Sequence, residues 1–138
     1  MSKYEVVSNW IKTCDRITTW LYFNAILMEN NNISISPISE NTVQDYIDGS
    51  KDKELLFAID FVQLYDTEMS ETNMHSIEDT QEILNWVKSQ TTLPNFGVGF
   101  VTESVEVEDE VPGTLVDQNL GLCKYQFNCK IKFFQEKE

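Results

Sequence analysis

Hydrophobic and polar residues alternate most regularly between Cys123 and Phe134. Successive side chains of a β-strand point to opposite faces, so this pattern predicts a strand with one apolar and one polar face. The predicted apolar face consists of Cys123, Tyr125, Phe127, Cys129, Ile131 and Phe133. The predicted polar face consists of Lys124, Gln126, Asn128, Lys130 and Lys132. We therefore expect one side of this strand to lie in the core and the other to lie at a surface.

Two segments have the spacing of amphipathic helices. From Lys3 to Ile17, apolar residues recur every three or four positions, and Ser2 with Glu5 predicts an N-terminal capping box. A second helix is predicted from Met74 to Gln90. Its apolar stripe consists of Ile77, Ile83, Leu84 and Val87. Each helix has one face that can pack on a sheet.

Further strands are predicted at Ile33–Ile38, Val43–Ile47, Glu54–Tyr65 and Phe100–Val107. Pro37 restricts the first of them to an edge or an end of the sheet. The third is apolar on both faces, which is typical of a central strand. Val111–Gly121 is predicted to be a long loop. Together these elements predict one α+β domain spanning residues 1–138, with an antiparallel or mixed sheet and two main helices packed on it.

The charge of the chain limits its partners. It has 23 acidic residues against 10 lysines and arginines, a formal net charge of −13. Such a charge repels phosphate backbones, so we expect no specific nucleic-acid binding. The most apolar window, Trp20–Met28, is too short to cross a bilayer and the N-terminus has no signal-peptide pattern, so no membrane partner is expected. We expect the protein to be soluble when it is made in the cytoplasm.

Residues suited to catalysis or metal binding are few. The three cysteines form no CxxC pair and there is one histidine, so a zinc site is not predicted. Cys123 and Cys129 would lie about 20 Å apart along a regular strand, too far for a disulfide. We interpret the cysteines as buried free thiols and predict no catalytic, metal or cofactor residues. A Cys-His nucleophile that uses His75 is the alternative, because such partners meet in space rather than in sequence.

Opposite charges are concentrated in two segments near the end of the sequence. From Gln118 to Gln135 there are lysines and no acidic residue. The candidate contact residues are Lys124, Lys130, Lys132, Glu106, Glu108, Asp109 and Glu110. If several copies assemble, the acidic cluster of one subunit could meet the lysines of its neighbour and close a ring. The alternative is a solvated outer face, or a sheet edge that lysines protect from aggregation.

Several short runs, taken in order, resemble a known family. They are Tyr46-Ile47-Asp48-Gly49-Ser50, Phe57-Ala58-Ile59, Tyr65-Asp66-Thr67, Asn73-Met74, Trp86, Leu93-Pro94-Asn95-Phe96-Gly97 and Lys124-Tyr125-Gln126-Phe127-Asn128-Cys129. In their order and spacing they resemble the minor capsid or tail terminator proteins of phages and prophages of Gram-positive bacteria. Some of those relatives are mislabelled as chloramphenicol-resistance proteins, and this chain has no catalytic histidine arrangement that such an acetyltransferase would need.

The resemblance implies a structural role rather than an enzymatic one. Tail terminators are α+β subunits of a ring, usually a hexamer, that caps the tail tube and joins the tail to the head. The implied partners are other copies of the chain, the tail tube protein, and sheath and head–tail connector proteins. The implied location is the head-proximal end of the virion tail, without cofactors. The alternatives are another head–tail connector or minor capsid component, or a small cytosolic enzyme that uses cysteine and histidine.

Overall fold

The computed structural model describes residues 2–14, 21–23, 33–64, 70–108, 114–119 and 122–137. In chain order these ranges contain α1 (Lys3–Ile11), β1 (Leu21–Phe23), β2 (Ile33–Asp45), β3 (Lys51–Leu64), α2 (Ser70–Ser89), β4 (Phe100–Val107), β5 (Thr114–Asn119) and β6 (Leu122–Gln135).

The six described strands form one mixed sheet. They lie in the order β1, β2, β3, β6, β4, and β5 also pairs with β6. β1 is parallel to β2, and the other neighbours are antiparallel. β4 and β5 share one edge of β6, β4 along Cys129–Gln135 and β5 along Leu122–Gln126. Because both helices pack on this sheet, the structure confirms the predicted α+β fold.

The alternation of β6 determines which of its side chains enter the core. Tyr125, Phe127, Cys129, Ile131 and Phe133 are at most 5% exposed. The first four of them lie opposite alternate residues of β3 that are also buried, namely Phe61, Ile59, Phe57 and Leu55. The helices cover this side, which we call the helical face. The predicted apolar face of β6 is thus confirmed, except that the side chain of Cys123 lies outside the described residues.

Both helices present apolar stripes to the helical face. The buried helix residues are Val7, Trp10, Ile11, Ile83, Leu84 and Val87. The predicted cap of α1 is present, since the Glu5 amide donates to Ser2 Oγ at 3.2 Å. The rings of Trp10 and Trp86 are 5.1 Å apart, and Trp10 Nε1 donates to the Thr92 carbonyl at 2.7 Å. These contacts join the C-terminal ends of the two helices.

The first helix is shorter than predicted, because it ends at Ile11 and not at Ile17. The Thr13 hydroxyl donates to the Trp10 carbonyl at 2.6 Å, and the Cys14 amide donates to the Ile11 carbonyl at 2.9 Å. These bonds satisfy the last carbonyls of the helix in a turn. Cys14 therefore reaches the core from this turn, and the predicted helix beyond it lies outside the described residues.

The start of β3 was predicted at Glu54 but lies at Lys51, and two other predictions were wrong. α2 begins at Ser70 rather than at Met74, because its first turn is polar and carries no apolar stripe that would reveal it. The predicted loop Val111–Gly121 contains β5, which has no clear alternation and is held by pairing with β6. A short edge strand of this kind is defined by its partner rather than by its own sequence.

The second strand joins the two segments for which the sequence predicts separate strands, and it ends at Asp45. It pairs with β1 only along Ile33–Ile35, so Pro37 lies where one edge of β2 faces no described strand, as predicted for proline. The register against β3 shifts at Ile38 and at Val43. These irregularities place both side chains outside the core, where they are exposed.

Candidate functional site: a charged ladder on the outer face

The outer face of the sheet, opposite the helices, carries the alternate side chains of β3, β6 and β4. In β6 these are Lys124, Gln126, Asn128, Lys130 and Lys132, all partly exposed. Across the sheet, Lys132 lies opposite Glu54 of β3, and Lys130 lies opposite Glu106 of β4. The strand order thus places acidic residues on both sides of the lysines.

These side chains form ion pairs within one subunit. Lys130 Nζ lies 3.3 Å from Glu108 Oε1 and 3.8 Å from Glu54 Oε1. Lys132 Nζ lies 3.3 Å from Glu106 Oε1. We call these five residues the charged ladder, because they connect β3, β6 and β4 across the outer face. Cross-strand pairs of opposite charge favour this register of the strands.

The two lysines of the ladder differ in their surroundings. The side chain of Lys130 is 22% exposed and lies between two carboxylates, whereas that of Lys132 is 42% exposed. The pKa of Lys130 is raised, chiefly by its hydrogen bond to Glu108 and next by the charge of Glu54. The ammonium group of Lys130 is therefore charged throughout the physiological pH range.

The structure brings the predicted contact residues together, but within a single chain. The ladder contains four of the seven, and they are already paired before any neighbour arrives. Lys124 lies farther along β6, opposite Asp117 of β5 in register. Asp109 and Glu110 lie outside the described residues. The contact between subunits therefore stays a prediction. A neighbouring subunit would have to add to these internal ion pairs or replace them.

A buried polar group lies on the same outer face, four positions along β6 from Lys130. Asp60 is 4% exposed and accepts hydrogen bonds from Ser36 Oγ and Gln126 Nε2, both at 2.7 Å. Ser34 lies opposite Asp60, is 1% exposed, and its Oγ has no hydrogen-bond partner among the described residues. The sequence analysis missed this group, because Asp60 occurs in an apolar run and its two donors come from distant strands.

The described thiols are not placed for catalysis. Cys14 and Cys129 are at most 2% exposed, as predicted for packing cysteines, and a buried thiol cannot reach a substrate. The side chains of Cys123 and His75 lie outside the described residues. Within the described ranges, no group of three or more histidine, cysteine, aspartate or glutamate residues could hold a metal ion. No helix in those ranges is long and apolar enough to span a membrane.

Comparison of the chain with models of known protein families finds no match, and a search of curated protein sequences finds no significant similarity. The function has to be inferred from the arrangement of the chain's own side chains.

Proposed function

We propose that the protein is a structural subunit of a phage or prophage tail, namely a tail terminator without enzymatic turnover. Copies of the chain assemble into a ring, hexameric in proteins of this type, that caps the tail tube and joins it to the head. The proposed partners are other copies of the chain, the tail tube protein and the head–tail connector proteins. The order and spacing of the sequence runs described above motivate this choice of family.

The observation that carries the proposal is the charged ladder. Both helices pack on the other side of the sheet, and three ladder residues, Glu106, Glu108 and Lys132, are 46%, 44% and 42% exposed in their side chains. A ring requires that each subunit present two unlike surfaces that fit each other. Ordered charges on three adjacent strands provide such a surface, because they fix the orientation of a partner.

The internal ion pairs change how the contact would work. The ladder contains three carboxylates and two ammonium groups, so it has a surplus of one negative charge. The lysines of β6, taken alone, suggest a cationic face, but in the folded subunit the charges of Lys130 and Lys132 are paired with carboxylates. A neighbouring subunit would complete the ladder by adding a cationic side chain.

Assembly of the purified protein tests the proposal. We expect sedimentation velocity and negative-stain electron microscopy to show rings, either of the protein alone or on the ends of polymerised tail tubes. A chain that stays monomeric at all concentrations and does not bind tube ends would contradict the proposal. Closed rings that bind heads but not tubes would favour a connector over a terminator.

Charge variants test the role of the ladder within that assembly. Changing Lys124, Lys130 and Lys132 to glutamate should abolish ring formation, but it also breaks the internal pairs. The matched control is the swap Glu106→Lys with Lys132→Glu, which restores an internal pair while it reverses the surface pattern. We expect the swapped protein to fold, by circular dichroism, and not to assemble. Normal assembly of the swapped protein would mean that these pairs only hold β4 to β6.

A further inference from the structure

Large apolar side chains are concentrated at one end of the sheet. This group, which we call the apolar tip, consists of Val43, Tyr46, Ile47, Val98 and Val101, with exposures of 60%, 44%, 109%, 103% and 53%. The described residues have only two other exposed large apolar side chains, Phe23 and Ile38, and both lie farther along the sheet. An exposed apolar patch of this kind usually marks a binding surface.

The apolar tip is continuous across three segments of the chain. Tyr46 lies in the turn between β2 and β3, and its ring centroid is 6.3 Å from that of Phe134 in β6. Val101 of β4 lies opposite Phe134 in register. The Glu136 amide, just after β6, donates to the Gly99 carbonyl at 2.8 Å and so holds the turn before β4 in place. The two turns and the end of β6 therefore form one surface.

Hydrogen bonds hold both turns of the tip. Asp48 Oδ1 accepts from the amide and the hydroxyl of Ser50, at 2.9 and 2.6 Å. Gly49 between them has φ +93°, a conformation that other residues rarely adopt. In the second turn, the Gly97 amide donates to Asn95 Oδ1 at 2.9 Å. Because the turns are ordered, a partner that covers the tip orders little additional backbone.

The charges around the tip are mostly negative. The nearby acidic residues are Asp45, Asp48, Asp52, Glu103 and Glu136, and the nearby basic residues are Lys51 and Lys137. Lys51 is already near Asp45, with Nζ 3.8 Å from Oδ1. A second copy would bring the same acidic end from a chain of net charge −13, so two tips repel each other.

From this combination we propose that the apolar tip docks a different protein, one whose surface has apolar side chains surrounded by lysines or arginines. The partner's apolar side chains cover Ile47 and Val98, and its cations face the carboxylates around them. The tip is separate from the charged ladder, so this proposal does not depend on a role in phage tails.

Nuclear magnetic resonance of the full-length, isotope-labelled chain tests the proposal with a defined probe. The probe is a short amphipathic peptide of leucine and lysine, and a matched peptide has glutamate in place of lysine. We expect the lysine peptide to shift amide signals at 46–50 and 97–101, and added salt to weaken its binding. We expect the glutamate peptide to cause no shifts. Equal binding of the two peptides, or shifts centred elsewhere, would overturn the proposal.

Two sets of variants distinguish binding at the apolar tip from nonspecific hydrophobic binding. Ile47→Ser with Val98→Ser should weaken binding of the lysine peptide about tenfold or more, since a few central apolar side chains dominate most interfaces. Ile38→Ser, at an exposed apolar residue away from the tip, is the matched control and should bind like the parent. Equal losses in both variants would contradict the assignment. Self-association that increases with salt and is lost in the double variant would identify a second copy as the occupant and refute a basic partner.

Discussion

Replacing Phe127 by alanine tests the assignment of the core most directly. Phe127 is fully buried at the middle of β6, opposite Ile59 of β3, and it belongs to the cluster that joins the sheet to both helices. The substitution removes a whole ring from a place where the chain on either side is fixed by strand pairing. The site therefore cannot collapse freely, and a cavity remains.

The expected cost follows from this burial. Truncating a buried phenylalanine to alanine lowers the free energy of unfolding by about 3–5 kcal/mol. The free energy of unfolding of a small domain is about 5–15 kcal/mol, so the substitution removes a large share of the stability. For a domain of this size, we expect the midpoint of thermal unfolding to fall by roughly 10–20 °C.

The assay is thermal and urea unfolding followed by circular dichroism. Ile47→Ala is a suitable control, because its side chain is fully exposed and we expect its stability to stay within about 0.5 kcal/mol of the parent. If Phe127→Ala unfolds within two or three degrees of the parent, roughly the effect of a surface change, the assignment of the two faces of β6 is wrong.

Three further predictions concern other residues. Asp60→Ala should destabilise the fold by about 1–3 kcal/mol, because two partly buried donors lose their acceptor. Ser34→Ala should be neutral or stabilising in urea unfolding, and the reverse order would contradict the described hydrogen bonds. Burial opposes ionisation of Glu40, but hydrogen bonds from Lys53 and Lys3 outweigh this effect and lower the pKa of Glu40. Glu40→Gln should therefore be less stable than the parent at neutral pH, and the difference in stability should shrink as the pH falls below 4.5. A difference that is independent of pH would exclude these ion pairs. His75→Ala should leave ring assembly unchanged, and loss of assembly by a well-folded variant would count against a purely structural protein.

The sequence predicts those parts of the fold that have a strong periodicity of their own. β4 begins and ends at the predicted residues, and the alternation of β6 identifies its buried face. The end of α1 and the existence of β5 could not be predicted, because they depend on a hydrogen-bonded turn and on a partner strand. Such contacts produce no pattern in the local sequence.

Four of the five ladder residues were predictable from the sequence, but Glu54 and the connections between the residues were not. The lysines and the acidic cluster stand out in the sequence, yet only the order of the strands shows that β4 lies beside β6. That order pairs Glu106 with Lys132 inside one chain. The apolar tip was hidden for a similar reason, since Ile47 and Val98 are 51 positions apart in the chain and lie at the same end of the sheet only because of the way its strands pair.

The position of β6 has a consequence for the timing of folding during synthesis. β6 follows every other described element along the chain, but it lies between β3 and β4 in the sheet. Until β6 leaves the ribosome, one edge of β3 is unpaired, and the helices can pack on only part of the helical face. Pairs such as Asp60 with Gln126, 66 positions apart, form last and make folding slow. A nascent chain stopped before β6 should therefore be a substrate for chaperones and proteases, and the domain completes its fold only after translation has passed its last strand.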